Sequence, residues 1–352
     1  MERFLIATAA LLAATTTATA DISISGYGRF GLDYNDANAR FGDTNTFGLP
    51  GNGSSKFNLI SRLRLNFDMS TESDAGVTLG ARIRAQASST DGDPQSGKLG
   101  AARLYASYGG FTVAVGNILG ALDETPGLSI SSKWGSKGFS SMHKVHYVTN
   151  VNDNIGGPGP GDGEYGNWDS FSSRGSGANG VEAIYSAGPF GGHISHSRQN
   201  DEAPGIAGAR RSAAHISWKW ENWTVALAGQ DSNKEWEDKV FFAVQGKFDR
   251  YGVKLAYADN NGIDKYGLYG SMDVGAASNM VLWVTHEGKV KAGDVANGRH
   301  DNRRSVNPDG TAGTAFGMNY GYDLGGGASF LAGAQHLPNS QTQVQAGVRF
   351  DF

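Results

Sequence analysis

Hydrophobicity alternates with period two in one strand-length stretch after another between Asp21 and the last residue, and no other feature restricts the fold of this chain so far. In "VQAGVRFDF", Val344, Ala346, Val348, Phe350 and Phe352 alternate with Gln345, Gly347, Arg349 and Asp351. In "NLISRLRLNFDM", Leu59, Ser61, Leu63, Leu65, Phe67 and Met69 alternate with Ile60, Arg62, Arg64, Asn66 and Asp68. In "GVTLGARIRAQ", Val77, Leu79, Ala81, Ile83 and Ala85 alternate with Thr78, Gly80, Arg82, Arg84 and Gln86. The opening "DISISGYGRFGLDY" sets Ile22, Ile24, Phe30, Leu32 and Tyr34 against Ser23, Ser25, Tyr27, Arg29 and Asp33. Neighbouring side chains on a strand point to opposite faces, so each stretch predicts a strand with one apolar and one polar face.

Further strands are expected at about 100–108, 111–116, 178–187, 190–199, 211–220, 223–232, 238–249, 252–260, 265–275, 279–287, 313–323, 327–335 and 342–352, sixteen in all. Each approaches the ~9–11 residues that a tilted strand needs to cross a bilayer. Short turns such as "TESDA", "GPF" and "EN" alternate with long loops near 35–56, 89–99, 117–177, 200–210, 233–237, 261–264, 288–312 and 336–341. That alternation predicts an all-β transmembrane antiparallel barrel with both termini on the turn side. Lipid does not tolerate a free sheet edge, so the last strand should pair with the first. Val344, Val348, Phe350 and Phe352 would then face lipid, and Gln345, Arg349 and Asp351 the lumen. Trp218, Trp220 and Trp223 flank the turn "WENW", where an interfacial aromatic girdle would sit, and Tyr320 and Tyr322 lie near another strand end.

Residues 1–20 read as a secretory signal peptide: Arg3, an apolar and small-residue run from Phe4 to Ala14, then Ala18-Thr19-Ala20. Residues 21–352 form one barrel domain. Cys is absent, which removes disulfide and thiol chemistry, and the net charge of −4 excludes a nucleic-acid partner. The 52 glycines follow no collagen period, and aromatics at 11 % argue against disorder. "GYGRFG" (Gly26, Gly28, Gly31) matches a dinucleotide fingerprint, but it lies within a strand and no helix follows. "GDPQSGKL" misses a phosphate loop, because Leu99 stands where Ser or Thr is required. His143/His146 and His193/His196 are spaced i, i+3, which puts each pair on opposite strand faces and leaves no metal site. No cofactor is expected.

Arg62, Arg64, Arg82 and Arg84 share the polar face of one hairpin. Centring that hairpin on Ser73 pairs 62 with 84 and 64 with 82. Like charges directly opposite are destabilising, so such a ladder needs water or acids. Arg29 on the preceding strand and Arg103 on the next extend it. Asp123 and Glu124 lie early in the longest connection, 117–177, and would meet the arginines if that loop folds inward.

"SRLRLNFDMSTESDAGVTLGARIRA", "AIYSAGPFGGHISHS" and "YDLGGGASFLAGAQHLPNSQTQVQAGVRFDF" resemble the second hairpin, the hairpin after the third loop, and the last two strands of the general bacterial porins of α-proteobacteria. The resemblance covers essentially all of residues 21–352. It implies a sixteen-stranded homotrimer in the outer membrane, in contact with lipid and lipopolysaccharide. It also implies that the loop after the fifth strand narrows the pore, with Asp123 and Glu124 opposing Arg29, Arg62, Arg64, Arg82 and Arg84. Phe352 would be the terminal aromatic that the barrel assembly machinery reads. Lys133, Lys137 and "GGPGPGDGEYGNWD" depart from the family pattern in the same loop. Some family members bind calcium in loop carboxylates, but no loop here has EF-hand spacing and none is assigned.

The expected function is passive diffusion of small hydrophilic solutes and ions through a charged constriction. The alternative is a substrate-specific channel with a saturable site, which needs a lumenal aromatic track; Tyr27 and Tyr105 alone do not make one. A barrel lipase would need a serine beside a histidine, and His215 and Ser217 share a strand face.

Overall fold

The computed structural model describes residues 21–129, 148, 168–171, 179–199, 208–289 and 312–352, apart from 47, 49, 52, 91–92, 235–236 and 339. The expected leader, Lys133, Lys137, His143 and His146 lie outside the described residues, as does most of "GGPGPGDGEYGNWD". The described chain is strand, turn and bend, with no helix among the described residues.

Strands β1 (Asp21–Asn35), β2 (Phe57–Glu72), β3 (Thr78–Thr90), β4 (Asp93–Leu99), β5 (Arg103–Tyr108) and β6 (Phe111–Asn117) precede the longest connection. Then come β7 (Asn179–Ala187), β8 (Phe190–Arg198), β9 (Arg210–Trp220), β10 (Trp223–Ser232), β11 (Lys239–Phe248) and β12 (Tyr251–Asn260). The chain finishes with β13 (Asp264–Val274), β14 (Ser278–Glu287), β15 (Gly313–Gly325), β16 (Ala328–His336) and β17 (Thr342–Asp351). Antiparallel pairing runs round the sheet and closes between β1 and β17. β4 and β5 both lie along β3, Leu99 facing Ala85 and Arg103 facing Arg82, so together they form one stave of a sixteen-stave barrel. The expected loop 89–99 is therefore largely strand, and the expected strand 100–108 is interrupted at 100–102: β3 runs on to Thr90 and offers β4 a partner.

The two faces sort as the alternation requires. Ile24, Phe30, Leu32, Leu59, Leu63, Ile194, Ile216, Leu227, Leu255, Leu268 and Leu282 stand exposed on the outside. The terminal strand is held at its end: Gly26 N–H donates to Phe352 C=O at 2.8 Å, and Phe352 N–H donates to Gly26 C=O at 3.1 Å. Gly28 faces Phe350 across this seam, and a Cβ at Gly28 would collide with the Phe350 ring, so the glycine makes room for the aromatic.

The β2–β3 register corrects one expectation. Glu72 faces Thr78, Ser73 N–H donates to Val77 C=O, and Gly76 takes φ 74° in the turn. The hairpin axis thus falls at Ala75 rather than Ser73, and each arginine's partner on β3 lies four residues further along than expected. Arg62 faces Ser88, Arg64 faces Gln86, Asn66 faces Arg84 and Asp68 faces Arg82. The like-charge pairing of 62 with 84 and 64 with 82 does not occur. Arginines do oppose one another between other strands, at Arg29–Arg62, Arg29–Arg349 and Arg82–Arg103.

Candidate functional site

One wall of the lumen is basic. Arg29, Arg62, Arg64, Arg82, Arg84 and Arg103 project inward from β1, β2, β3 and β5. Cross-strand neighbours aim most of them. Arg62 Nε donates to Ser88 Oγ at 3.1 Å, Arg64 Nε and Nη2 to Gln86 Oε1 at 2.8 and 2.5 Å, and Arg84 Nε to Asn66 Oδ1 at 3.1 Å. Arg82 Nε meets Asp68 Oδ1 at 2.5 Å, with its side chain still 40 % exposed. Tyr27 lies among these groups, its ring centroid 5.4 Å from the Arg64 guanidinium and 4.2 Å from that of Arg349.

The facing wall is apolar. Ala213, Ala228, Phe241, Ala243, Ala256 and Ala258 point inward from β9, β10, β11 and β12, and all are buried. What buries them is the long loop: Ala121, Leu122, Leu128, Val148 and Trp168 complete one cluster with them. Removing Trp168 and Leu122 from water contributes roughly 1.5–3 kcal/mol each. β11 is the eighth stave from β2 in either direction round the ring, so the loop docks on the side opposite the arginines.

Polar groups fix both roots of this loop. Where the chain leaves β6, the buried Glu182 carboxylate on β7 accepts from Arg103 Nε at 2.6 Å and from the backbone N–H groups of Leu119 and Gly120 at 2.9 and 3.2 Å. His193 Nε2 lies 3.0 Å from the same carboxylate. Ala121 N–H donates to Ser195 Oγ at 2.9 Å, and His215 Nδ1 lies 2.6 Å from Ala121 C=O. On the returning limb, Asp169 bonds Ser197 Oγ and Arg211 Nη1, while Arg211 also grips Glu237 with Nε and Nη2, each at 2.9 Å. Burial pushes the Asp169 carboxyl above the ordinary aspartate range, against the pull of Arg211 and Ser197. Gly120 has φ 84° and sits so close under the Asp169 carbonyl that a side chain would clash, so the outgoing and returning limbs touch. Lys254 Nζ donates to the carbonyls of Gly127 and Ser129 at 3.0 and 2.6 Å.

Two residues beyond Asp169 the loop reaches the basic wall. Arg84 Nη1 donates to Phe171 C=O at 3.1 Å, and the Arg84 guanidinium lies 4.6 Å from the centroid of the Phe171 ring. Residues 168–171 therefore span from the apolar wall to β3. Of the acids singled out in the sequence, Asp123 accepts from Trp168 Nε1 at 3.2 Å, and Glu124 is exposed beside it. Among the wall arginines, Arg82 pairs with Asp68 and Arg103 with Glu182. His193 is buried and His196 exposed, so that pair does lie on opposite faces. "GYGRFG" lies within β1, and "DPQSGKL" forms β4. No group of three or more metal-ligating side chains occurs among the described residues.

Glu182, Asp169, Arg211 and Glu237 were not picked out from the sequence, and His193 and His215 were weighed there only for metal or hydrolase chemistry. The available signal was apolarity on both faces of β10–β12. The inward Ala226, Ala228, Ala243, Ala256 and Ala258 have no place in water-filled lumen, so something had to cover them.

The sequence model of a family described as Gram-negative porin matches residues 7–352. A porin of Fuscovulum blasticum is 27 % identical over 344 residues, covering 94 % of this chain and 100 % of the relative. A porin of Rhodobacter capsulatus is 25 % identical over 347 residues, again covering 94 % and 100 %. A solved structure of a Rh. blastica porin mutant superposes with a TM-score of 0.67 at 26 % identity, over 94 % of this chain and 100 % of that one.

Proposed function

Because the chain belongs to the Gram-negative porin family, we propose that its basic wall and bridging loop form a charged constriction. The protein is an integral outer-membrane barrel and a passive diffusion channel for small hydrophilic solutes and ions. In the proposed constriction Arg29, Arg62, Arg64, Arg82, Arg84 and Arg103 supply the positive side, and Asp123 and Glu124 on the docked loop the negative side. The observation that carries this reading is the loop's attachment opposite the arginine wall. With the loop held there, the passage would run along the guanidinium groups, where fixed charge acts on ions through little water.

Residues 1–20 act as the secretory signal, and 117–177 as the constriction loop of a single barrel domain. The assembly is a homotrimer among lipid and lipopolysaccharide, with Phe352 read by the barrel assembly machinery. Membership of a porin family supports a channel over an enzyme. His215 supports it too, because its Nδ1 lies against the Ala121 carbonyl and Ser217 gains no base from that nitrogen. The substrate-specific alternative gains little: Tyr269 and Trp283 oppose each other on β13 and β14, but Trp283 is only 4 % exposed and offers no open track.

Reversal potentials in a planar bilayer under a salt gradient test the constriction. Asp123→Asn with Glu124→Gln should move selectivity toward anions, and neutralising wall arginines should move it toward cations. If neither set moves the potential, the charged constriction is wrong and the diffusion channel stands.

A further inference from the structure

Two histidines face each other under the root of the long loop. His193 on β8 opposes His215 on β9 in register, their rings edge-on with centroids 5.5 Å apart, and both are buried. Each holds a different part of the outgoing limb. His193 Nε2 lies 3.0 Å from the Glu182 carboxylate that receives the N–H groups of Leu119 and Gly120. His215 Nδ1 lies 2.6 Å from the Ala121 carbonyl. A carbonyl only accepts, so His215 Nδ1 carries a proton. The Glu182 oxygens already accept from three other donors, so His193 Nε2 donates to them as well. With one proton each the rings are neutral, and the nitrogens left to titrate are His193 Nδ1 and His215 Nε2.

The charge around the two rings is already matched. Arg103 on β5 pairs with Glu182 on β7 at 2.6 Å. Further along β9, Arg211 lies between Asp169 of the loop and Glu237. Asp123, two residues past Ala121, receives Trp168 Nε1. The other cross-strand neighbours, Ile184 on β7 and Ala228 on β10, carry no charge. A first added proton rests on His193, beside Glu182. A second makes His215 a cation facing a cation, shut off from solvent, and among the described residues no further carboxylate touches either ring. The ladder from Phe190–Trp218 to Arg198–Arg210 keeps β8 and β9 together, so the part that gives way is the loop.

We propose that His193 and His215 form an acid-sensitive latch on the loop root: neutral, they hold residues 119–121 on the covered wall, and doubly protonated they release them. On release His215 gives up the Ala121 carbonyl and turns to water, where it carries its proton without a neighbouring cation. Acid therefore favours the released loop, and a released loop closes the channel more readily under voltage. The proposal rests on the diffusion-channel reading and is independent of the charged constriction, since neither ring belongs to the arginine wall.

The test uses the full-length protein, as a channel in a planar bilayer and in detergent for hydrogen exchange. Both are read from about pH 7.5 to about pH 5, either side of the ordinary imidazole value of about 6.5. At fixed voltage the closed-to-open ratio of wild type should rise as pH falls, by up to about tenfold per pH unit, the limit for one proton taken up on release. His193→Gln with His215→Asn keeps a donor toward each partner, Gln near the place of Nε2 and Asn near that of Nδ1, and removes both titrations. This double variant should flatten the slope and keep the wild-type ratio at the alkaline end. His215→Asn alone should remove most of the slope, because the second proton is the one that releases. His196→Gln, on the exposed face of β8, should leave the slope unchanged. Backbone exchange at residues 119–121, corrected for its intrinsic pH dependence, should quicken on acidification in wild type and not in the double variant. A flat wild-type slope or unaltered exchange would overturn the proposal, as would a slope or a quickening that the double variant retains. Reversal potentials of the histidine variants at the alkaline end should match wild type, so failure of the latch and failure of the charged constriction are read separately.

Discussion

Arg64 on β2 and Ala243 on β11 both point into the same lumen, eight staves apart, and they live in different solvents. Around Arg64 the wall is partly exposed, and its guanidinium is aimed by a neutral amide, Gln86. Ala243 is shut off from solvent: the residue is 1 % exposed, packed beneath the long loop with Phe241, Leu122 and Trp168. One wall is a partly solvated, basic surface, and the other is a protein core that happens to lie inside a barrel. A cylinder lined evenly by polar groups would pass solutes through its whole section. Covering part of the lining with a core provides a seat for a loop, and in the proposed constriction that seat would set the width left for solutes.

Breaking the core should have the largest effect. Ala243→Asp places a carboxylate among apolar groups, at a cost of several kcal/mol unless the loop leaves. Single-channel conductance should rise and become noisy, and larger sugars should enter in liposome swelling. Unchanged conductance in a folded barrel would mean that the loop is not held by this face. Glu182→Ala should come next. It strips Arg103 of its carboxylate and leaves the N–H groups of Leu119 and Gly120 without their acceptor, on the order of 3–5 kcal/mol for a broken buried pair. The expected readout is a lower voltage threshold for closure, with Glu182→Gln restoring part of it through its remaining acceptor oxygen.

The basic wall should respond in selectivity rather than aperture. Arg64→Ala should shift the reversal potential toward cations, more at 0.1 M salt, where the Debye length is about 10 Å, than at 1 M, where it is about 3 Å. Conductance of larger sugars should stay nearly constant. A smaller shift is expected from neutralising a pair: Arg82→Gln with Asp68→Asn removes a dipole rather than a net charge. A double variant that moves the potential as far as Arg64→Ala would show that Asp68 does not offset the Arg82 charge.

These two walls were not equally legible in the sequence. The barrel and the inward arginines follow from period two alone, because the pleat forces side chains to alternate faces wherever Leu63 and Arg64 are neighbours. The register does not follow, since it depends on how many residues the turn absorbs, and Gly76 in its left-handed conformation moved the axis to Ala75. The interruption between β4 and β5 was hidden for a similar reason: Gly100 and its neighbours break a strand without breaking the alternation that surrounds it. The covered wall was written in alanines whose meaning depends on a loop far away in sequence. Glu182 looked like any lumenal carboxylate until the backbone of residues 119–120 was seen to fold onto it.

The smallest effect should come from Asp169, which sits at the join between the covered wall and the limb that reaches Arg84. Its carboxylate gains Ser197 Oγ and Arg211, yet burial pushes its pKa above the ordinary aspartate value, so desolvation outweighs those partners. Asp169→Asn keeps an acceptor for the Ser197 hydroxyl and removes the buried charge. At pH 7 it should therefore change stability by less than about 1 kcal/mol in denaturant unfolding, unlike Glu182→Ala. The pH dependence has a definite sign. A carboxyl whose pKa is raised on folding binds its proton more tightly in the folded chain, so its favourable contribution is complete below the unfolded value and fades as pH rises through the folded one. Acidification through that window should stabilise wild type relative to Asp169→Asn. A difference that moves the other way would show that Arg211 holds Asp169 as a net stabilising ion pair, and that the covered wall is fastened by charge as well as by packing.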